Sequence, residues 1–543
     1  MAIHSAVGAS RRATRDTNQY SVFPAPRAGI DARANIATNS IDTCITANNL
    51  VPSEYGMKIR PGYRLWQTGL AAEVRTIIPY AGEAADRTDD RIFAITPDGI
   101  YDVTTDGGTP VNKLLFTETT GDAGFGVYSH YVDGAGNDLL FYADAANGLF
   151  EYDRVTDTWA QTTDITATAG SINAFDATEI VYIVSHKLRL WLVPRNSTYA
   201  WYLPILSAKG EAEEFFFGAK FKHGGELVGL YNWTVDGGDG VDDKLVAVSK
   251  AGDVIPYQGE DPSLASWSSI GTYFIGTMPK GVRCCSEYGG DLYMLSTLGL
   301  TSMRNLLSGH EIENPTGQTV GFKIARFLRN DLRDYGEENG WDLKFVTQEG
   351  EMLIVTPQRL DATYRQYAYN LTSRGWGFWR DVPILSGDPW LGRVVLGDKS
   401  GNVWRMDVNV DAAENNGANG TPIKYSILTG YSDMGTPGRY KRVQNIRPNW
   451  AARLPPTYSA SAKYDYDVTL PAALPTTPVE DAALWDVSNW DQAFWESGVL
   501  TPEFSMQGAR GHGRTVAIAM IGESTQESIL ASWDIAWNTG HFR

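Results

Sequence analysis

Short apolar, β-prone runs paired across a turn recur along the middle of the chain. Residues 291–303 read DLYMLSTLGLTSM, two such runs joined at Leu298-Gly299, and Gly299 can take the positive φ that a tight hairpin needs. The same phrase returns at 91–103 (RIFAITPDGIYDV), 139–153 (LLFYADAANGLFEYD), 188–203 (LRLWLVPRNSTYAWYL), 244–257 (KLVAVSKAGDVIPY), 352–370 (MLIVTPQRLDATYRQYAYN) and 393–407 (RVVLGDKSGNVWRMD). The turn centres Gly99, Gly148, Asn196, Gly252, Gly299, Leu360 and Gly401 lie 41 to 61 residues apart. Repeats of about 40–50 residues, each a small antiparallel sheet, predict a β-propeller, since no blade can bury both its faces alone. Chance is the alternative, because any large β-protein holds many hairpins. No GH…WD, kelch or Asp-box signature recurs at blade spacing.

Two stretches interrupt the repeats. Residues 231–243, YNWTVDGGDGVDD, could gather a hard cation on Asp236, Asp239, Asp242 and Asp243, but the order matches no standard calcium loop, and a solvated surface loop is the stronger reading. In residues 321–341 Ile324, Phe327, Leu328, Leu332 and Tyr335 fall at helical spacing, opposite Lys323, Arg326, Arg329 and Arg333. One helix packed on the ring is expected there. Near 376–379, Trp376 and Phe378 share one strand face and Trp379 takes the other, which reads as packing between blades.

The polar, Gly/Asn-rich residues 411–420 mark a boundary. Beyond it, strands are expected at 424–429, 440–450, 458–468, 515–521 and 528–537, enough for a β-sandwich. The insertion at 470–501 carries Trp485, Trp490 and Trp495 at five-residue steps. If exposed, these three are the best candidates for a protein contact; a loop folded down over the sandwich competes with that reading. The expected fold class is all-β: an extended N-terminal arm at 1–75, a propeller at 76–411 and a sandwich-like domain at 412–543.

Composition adds bounds. With 543 residues, 43% hydrophobic, the chain exceeds one core. Three cysteines, Cys44, Cys284 and Cys285, make no disulfide framework and suit a reducing compartment. The first residues lack the apolar region of a secretory signal, and no run is long enough to span a bilayer. The net charge is −18, but residues 1–75 hold nine basic and five acidic residues, so the remainder carries −22. An acidic body argues against tight nucleic-acid binding, though not against a surface that DNA slides past.

No catalytic constellation is legible. The seven histidines form no H-E-x-x-H or i,i+4 pair, no Cys/His cluster has zinc spacing, and there is neither a phosphate loop nor a G-x-S-x-G elbow. A glycosidase would need two carboxylates about 5–10 Å apart on a pocket, and none of the 64 acidic residues is singled out. The expectation is no enzyme, no cofactor and no metal.

After a polar, mildly basic tail comes FPAPRAGIDARAN at 23–35, where prolines two apart force extended backbone that must lie on another surface. A strand closing the ring, or an arm docking on a neighbouring subunit, would both use it. Phe23, Pro24, Pro26, Arg27, Asp31 and Arg33 are the candidate assembly contacts, with the three tryptophans above. The series continues through NNLVP at 48–52 and IRPGY at 59–63. Together these segments, followed by propeller-like repeats, resemble the tail hub or nozzle (tail tube) proteins of short-tailed, podovirus-like bacteriophages. The matching residues are Pro26, Gly29 and Asp31, then Asn49 and Pro52, then Ile59, Arg60, Pro61 and Gly62; the likeness is strong over about the first 75 residues. It implies a structural ring, usually hexameric, below the portal and adaptor. Its partners would be copies of itself, the adaptor and other tail proteins, with genomic DNA passing through the lumen unbound. It also implies a place in the virion tail after assembly in the bacterial cytoplasm. A glycan-binding or glycan-cleaving propeller is the second hypothesis.

Overall fold

The computed structural model describes residues 18–33, 35–234, 243–308, 320–346, 349–453, 456–474 and 507–540. It is an all-β protein with a seven-bladed propeller at its centre. Six blades follow in chain order at 76–115, 126–161, 180–216, 227–274, 285–302 and 342–380. The seventh combines strands at 386–408 with a strand from the N-terminal region. The first strand of each blade packs beside the first strands of the blades before and after it, and Ser386–Trp390 of blade 7 packs on Thr76–Tyr80 of blade 1, which closes the ring. In every blade the second and third strands are the hairpin legible in the sequence. The second strand ends on a small buried polar residue in several blades: Thr96, Asp144, Ser249 and Ser296. Each satisfies the turn that follows, as when Asp144 Oδ1 accepts from the amides of Ala146 and Asn147.

Five N-terminal strands do not form a separate arm. They are β1 (Gln19–Pro24), β2 (Cys44–Asn48), β3 (Leu50–Pro52), β4 (Met57–Ile59) and β5 (Gly62–Gln67). β5 is the outer strand of blade 7, antiparallel to Val403–Val408 with Gln67 opposite Val403, so the two ends of the propeller share hydrogen bonds. β1 and β4 each pair with Ser528–Gly540, and β3 pairs with β4. β2 pairs antiparallel with Thr421–Thr429 and touches blade 6 through Asn48 and Phe378. The described residues from 18 to 59 therefore belong with the C-terminal sandwich. One of its sheets holds Tyr440–Ala452 and Ser528–Gly540, the other Thr421–Thr429, Val516–Ser524 and Thr457–Tyr464.

The core follows from this weave. Phe23, Ile30, Cys44, Ala47 and Leu50 from the N-terminal segment share one apolar cluster with Ile446, Trp450 and Trp533 of the sandwich and Trp376 and Phe378 of blade 6. Trp379 packs on the other face, with Val51 and Leu353, as strand alternation requires. The expected helix is Ala325–Tyr335, with Leu328 and Leu332 buried. Its Asp331 is buried too, hydrogen-bonded to Arg359, Arg365 and Tyr367. The strand expected to reach 468 stops at Tyr464, because Asp465 and Tyr466 both take positive φ.

All three cysteines are buried. Burial lifts the thiol pKa of Cys44 and Cys285 well above its usual value and that of Cys284 to about 12, so thiolate is scarce and sealed off. A disulfide reagent at pH 8 is expected to label none of them in the folded protein and all three once it is unfolded. Rapid labelling of one thiol in the native state would show that its packing is wrong.

Candidate functional site

The first strands of the seven blades face the propeller axis, and the axis holds two chambers. The larger, about 420 Å³, is lined from all seven blades, including Thr76, Tyr128, Tyr182, Tyr231, Glu287, Lys344 and Asp388. The second, about 370 Å³, lies among Asp122, Arg195, Glu226, Lys250 and Lys280. Arg283 lines both. It enters from blade 5 and donates to Arg75 O at 3.1 Å and Thr76 Oγ1 at 3.4 Å in blade 1, while its Nε stands 3.5 Å from Asp342 Oδ2 in blade 6. One guanidinium thus spans the axis between the chambers.

In the larger chamber the charges alternate. Lys344 Nζ donates to Asp388 Oδ2 at 2.5 Å and lies 3.9 Å from Asp342 Oδ2. Burial works against the charge of Lys344, but Asp342 and Asp388 outweigh it and raise its pKa. Burial also raises the carboxyl pKa of Asp342, against the pull of Lys344 and Arg283. Desolvation pushes Glu287 up to about 7, although the Asn232 amide donates to its Oε1 at 2.8 Å. Tyr128, beside Asp388, is held neutral by burial first and by that carboxylate second. In the second chamber Lys280 pairs with Asp122 at 2.8 Å, and Asn339 Nδ2 donates to the same carboxylate at 2.6 Å.

No family model matches this chain, and no curated protein matches it. Among solved structures it is similar to the computationally designed Ika8 protein, at 9% identity over 64% of this chain and 100% of that one, TM-score 0.35. The extracellular domain of a hybrid two-component system from B. thetaiotaomicron is 12% identical over 65% of this chain and 41% of that one, TM-score 0.39. The Neurospora crassa Pan2 WD40 domain is 10% identical over 62% and 90%, TM-score 0.36.

The candidate assembly contacts divide by environment. Phe23 and Pro26 are buried in the chain's own sandwich, and Asp31 is buried beneath Arg33, whose Nε and Nη2 bond its two oxygens at 2.9 and 2.6 Å. The surfaces of these three are packed inside one chain. Pro24, Arg27 and Arg33 are exposed, and Arg27 Nη1 donates to Glu54 O. Trp485, Trp490 and Trp495 lie outside the described residues, as do Asp236, Asp239 and Asp242; Asp243 pairs with Thr234 in blade 4. Among the described residues no group of three or more His, Cys, Asp or Glu is placed to hold a metal, and no helix is long and apolar enough to cross a membrane.

The recognisable N-terminal residues meet at one junction. Asn49, at φ 57, accepts on Oδ1 from Arg60 Nε at 2.8 Å and from the Arg380 amide at 2.7 Å, and donates to Lys424 O at 2.8 Å. Arg60 forks onto Asp411 at 2.7 and 2.6 Å. Gly29 and Gly62 are glycines because a Cβ would meet Trp376 N at 2.4 Å and Val410 O at 2.1 Å. The motif therefore welds blade 6, the 411 linker and the sandwich together.

Beside this junction Glu351 is buried, and its Oε2 has no hydrogen-bond partner. Burial, then the charge of Glu349, pushes its carboxyl up to about 8. The unfolded chain loses that proton near 4.5, so between pH 4.5 and 8 rising pH favours the unfolded state. The Glu351→Gln variant is expected to flatten this part of the profile, losing less urea midpoint than the wild type between pH 5 and 8. Parallel profiles for the two proteins would mean that the carboxyl ionises freely in the fold.

Proposed function

We propose that this protein is a structural ring subunit of a short phage tail, a nozzle or hub through which DNA is ejected, and not an enzyme. Copies, six by the resemblance, would close a ring by heterologous contacts beneath the adaptor, with the conduit between subunits. The observation that carries the reading is an exposed apolar patch on blades 2 and 3. Val132, Leu188, Ile205 and Leu206 all face solvent. Hydrogen bonds tie their loops together: Leu206 N to Leu188 O and Gly134 N to Leu206 O, each 2.8 Å. A patch of this kind marks an interaction surface and supplies one half of a head-to-tail contact.

The blocked axis supports the same reading. Its chambers are separated by Arg283, and a duplex whose major groove alone is about 12 Å wide cannot thread them. DNA would need a lumen formed by several copies, and a body carrying −22 beyond residue 75 would repel its phosphates.

Native mass spectrometry and electron microscopy of the purified protein, alone and on tail complexes, test the proposal. Rings are expected for the wild type and their loss for the double variant Leu188→Glu, Ile205→Glu. A protein that never enters rings or tail particles would end it. A second reading, a glycan-binding or glycan-cleaving propeller, is favoured by the three axial carboxylates Asp342, Asp388 and Glu287. Its cleaving form stands or falls on release of reducing sugar from a polysaccharide.

A further inference from the structure

We propose that the larger axial chamber binds one small neutral polyol, a sugar unit, held by Asp342, Asp388 and Lys344. The inference deepens the second reading by naming the ligand class of that pocket, and it stands whether or not sugar is cleaved or rings form.

Asp342 makes the first demand. Its side chain is 2% exposed and lines the chamber, yet Oδ2 accepts no hydrogen bond. Arg283 Nε and Lys344 Nζ stand 3.5 and 3.9 Å away, beyond good hydrogen-bond distance. A buried carboxylate oxygen without a good hydrogen bond is costly, so a ligand hydroxyl that donates to it is favoured.

Charge selects the class. Asp342 and Asp388 face Arg283 and Lys344, and burial lifts the third carboxyl, Glu287, to about 7, so below neutral pH two negative groups meet two positive ones within one chamber. An added cation meets Arg283 and Lys344, and an added anion meets the carboxylates. A neutral group that both donates and accepts meets neither objection. A hydroxyl can donate to Asp342 while a second accepts from Lys344, which Asp388 holds in place. The walls suit the rest of such a molecule. Tyr182 and Tyr231 pack edge to face, 5.3 Å between centroids, and supply apolar surface; Ser129 and Ser286 supply further hydroxyls. The volume of about 420 Å³ falls within the range of small-molecule sites, about 300–1,000 Å³, and at its lower end.

The test is ligand-observed NMR and calorimetry on the full chain. The probes are D-glucose, D-galactose and N-acetyl-D-glucosamine, with D-glucosamine and N-acetylneuraminic acid as charged comparators. Two variants are measured beside the wild type: Asp342→Asn, which removes the charge and puts an amide donor in place of one accepting oxygen, and Ser129→Trp, which fills the chamber without touching a buried charge. At least one neutral sugar should bind the wild type, with affinity falling about tenfold or more in each variant whose thermal unfolding matches it. No signal from any neutral sugar, binding unchanged in Ser129→Trp, or preference for a charged comparator would each overturn the proposal. A free sugar and the end of a glycan share this chemistry. The disaccharides lactose and maltose separate them: tighter binding than the matching monosaccharide assigns a glycan end, and weaker or equal binding a free sugar.

Discussion

Replacing Arg60 with alanine is expected to destabilise the protein by about 3–5 kcal/mol, the cost of removing one partner from a buried ion pair. Its side chain is fully enclosed and gives two hydrogen bonds to Asp411 and one to Asn49. Alanine would leave the carboxylate without its fork and Asn49 Oδ1 with only the Arg380 amide. Because Asp411 links blade 7 to the sandwich, the loss should appear as uncoupling: one cooperative denaturant transition splits into two, the sandwich melting first. The double variant Arg60→Ala, Asp411→Ala should recover part of the loss by removing the stranded charge. If the single variant keeps one transition with an unchanged midpoint, the junction does not couple the two halves.

A larger effect is expected from a chain that starts at Met57. It keeps β4 and β5, so the propeller can still close, but loses β1, β2 and β3. The buried Phe23, Ile30, Leu50 and Val51 go with them. At about 1.5–3 kcal/mol for each large apolar side chain, those four represent roughly 6–12 kcal/mol, comparable to the whole stability of a typical domain. Residues 421–540 should become protease-sensitive and the protein prone to aggregate, while fragments spanning 76–408 stay resistant. A soluble truncated protein with a protected C-terminal region would show that the sandwich folds without its N-terminal strands.

The two results bear on what a sequence displays. All seven blade hairpins were legible because each is local: the runs flanking Gly299 or Gly401 meet across a few residues, and their turn chemistry lies in the same window. The helix at Ala325–Tyr335 was legible for the same reason. The fate of residues 19–67 was not, since β5 finds its partner at 403–408 and β1 at 532–537, and no periodicity points that far. The arm looked extended and in need of a surface, which is true, but the surface is its own chain. Asn49, Arg60 and Gly62 were visible as a motif without their geometry. The axial site was the least legible part. Arg283, Asp342, Lys344 and Asp388 come from three blades, and their one signal is a charged residue inside an otherwise apolar or small inner strand, DLKFV at 342–346 and SGDPW at 386–390. Alternation continues through Asp465 and Tyr466 and so predicts a strand to 468, while the backbone turns after Tyr464.

The pairing of β1 with Ser528–Gly540 sets a timetable for synthesis. At about 5–20 residues per second, β1 leaves the ribosome roughly 25–100 s before the last strand that covers it. Throughout that interval β1 lacks the strand it pairs with, whereas β5 meets its partner as soon as Val403–Val408 is made. The propeller can close once Val403–Val408 is made, but the sheet that holds β1 waits for Ser528–Gly540. A nascent chain stalled short of residue 528 therefore leaves β1 without its strand partner and part of its apolar face uncovered.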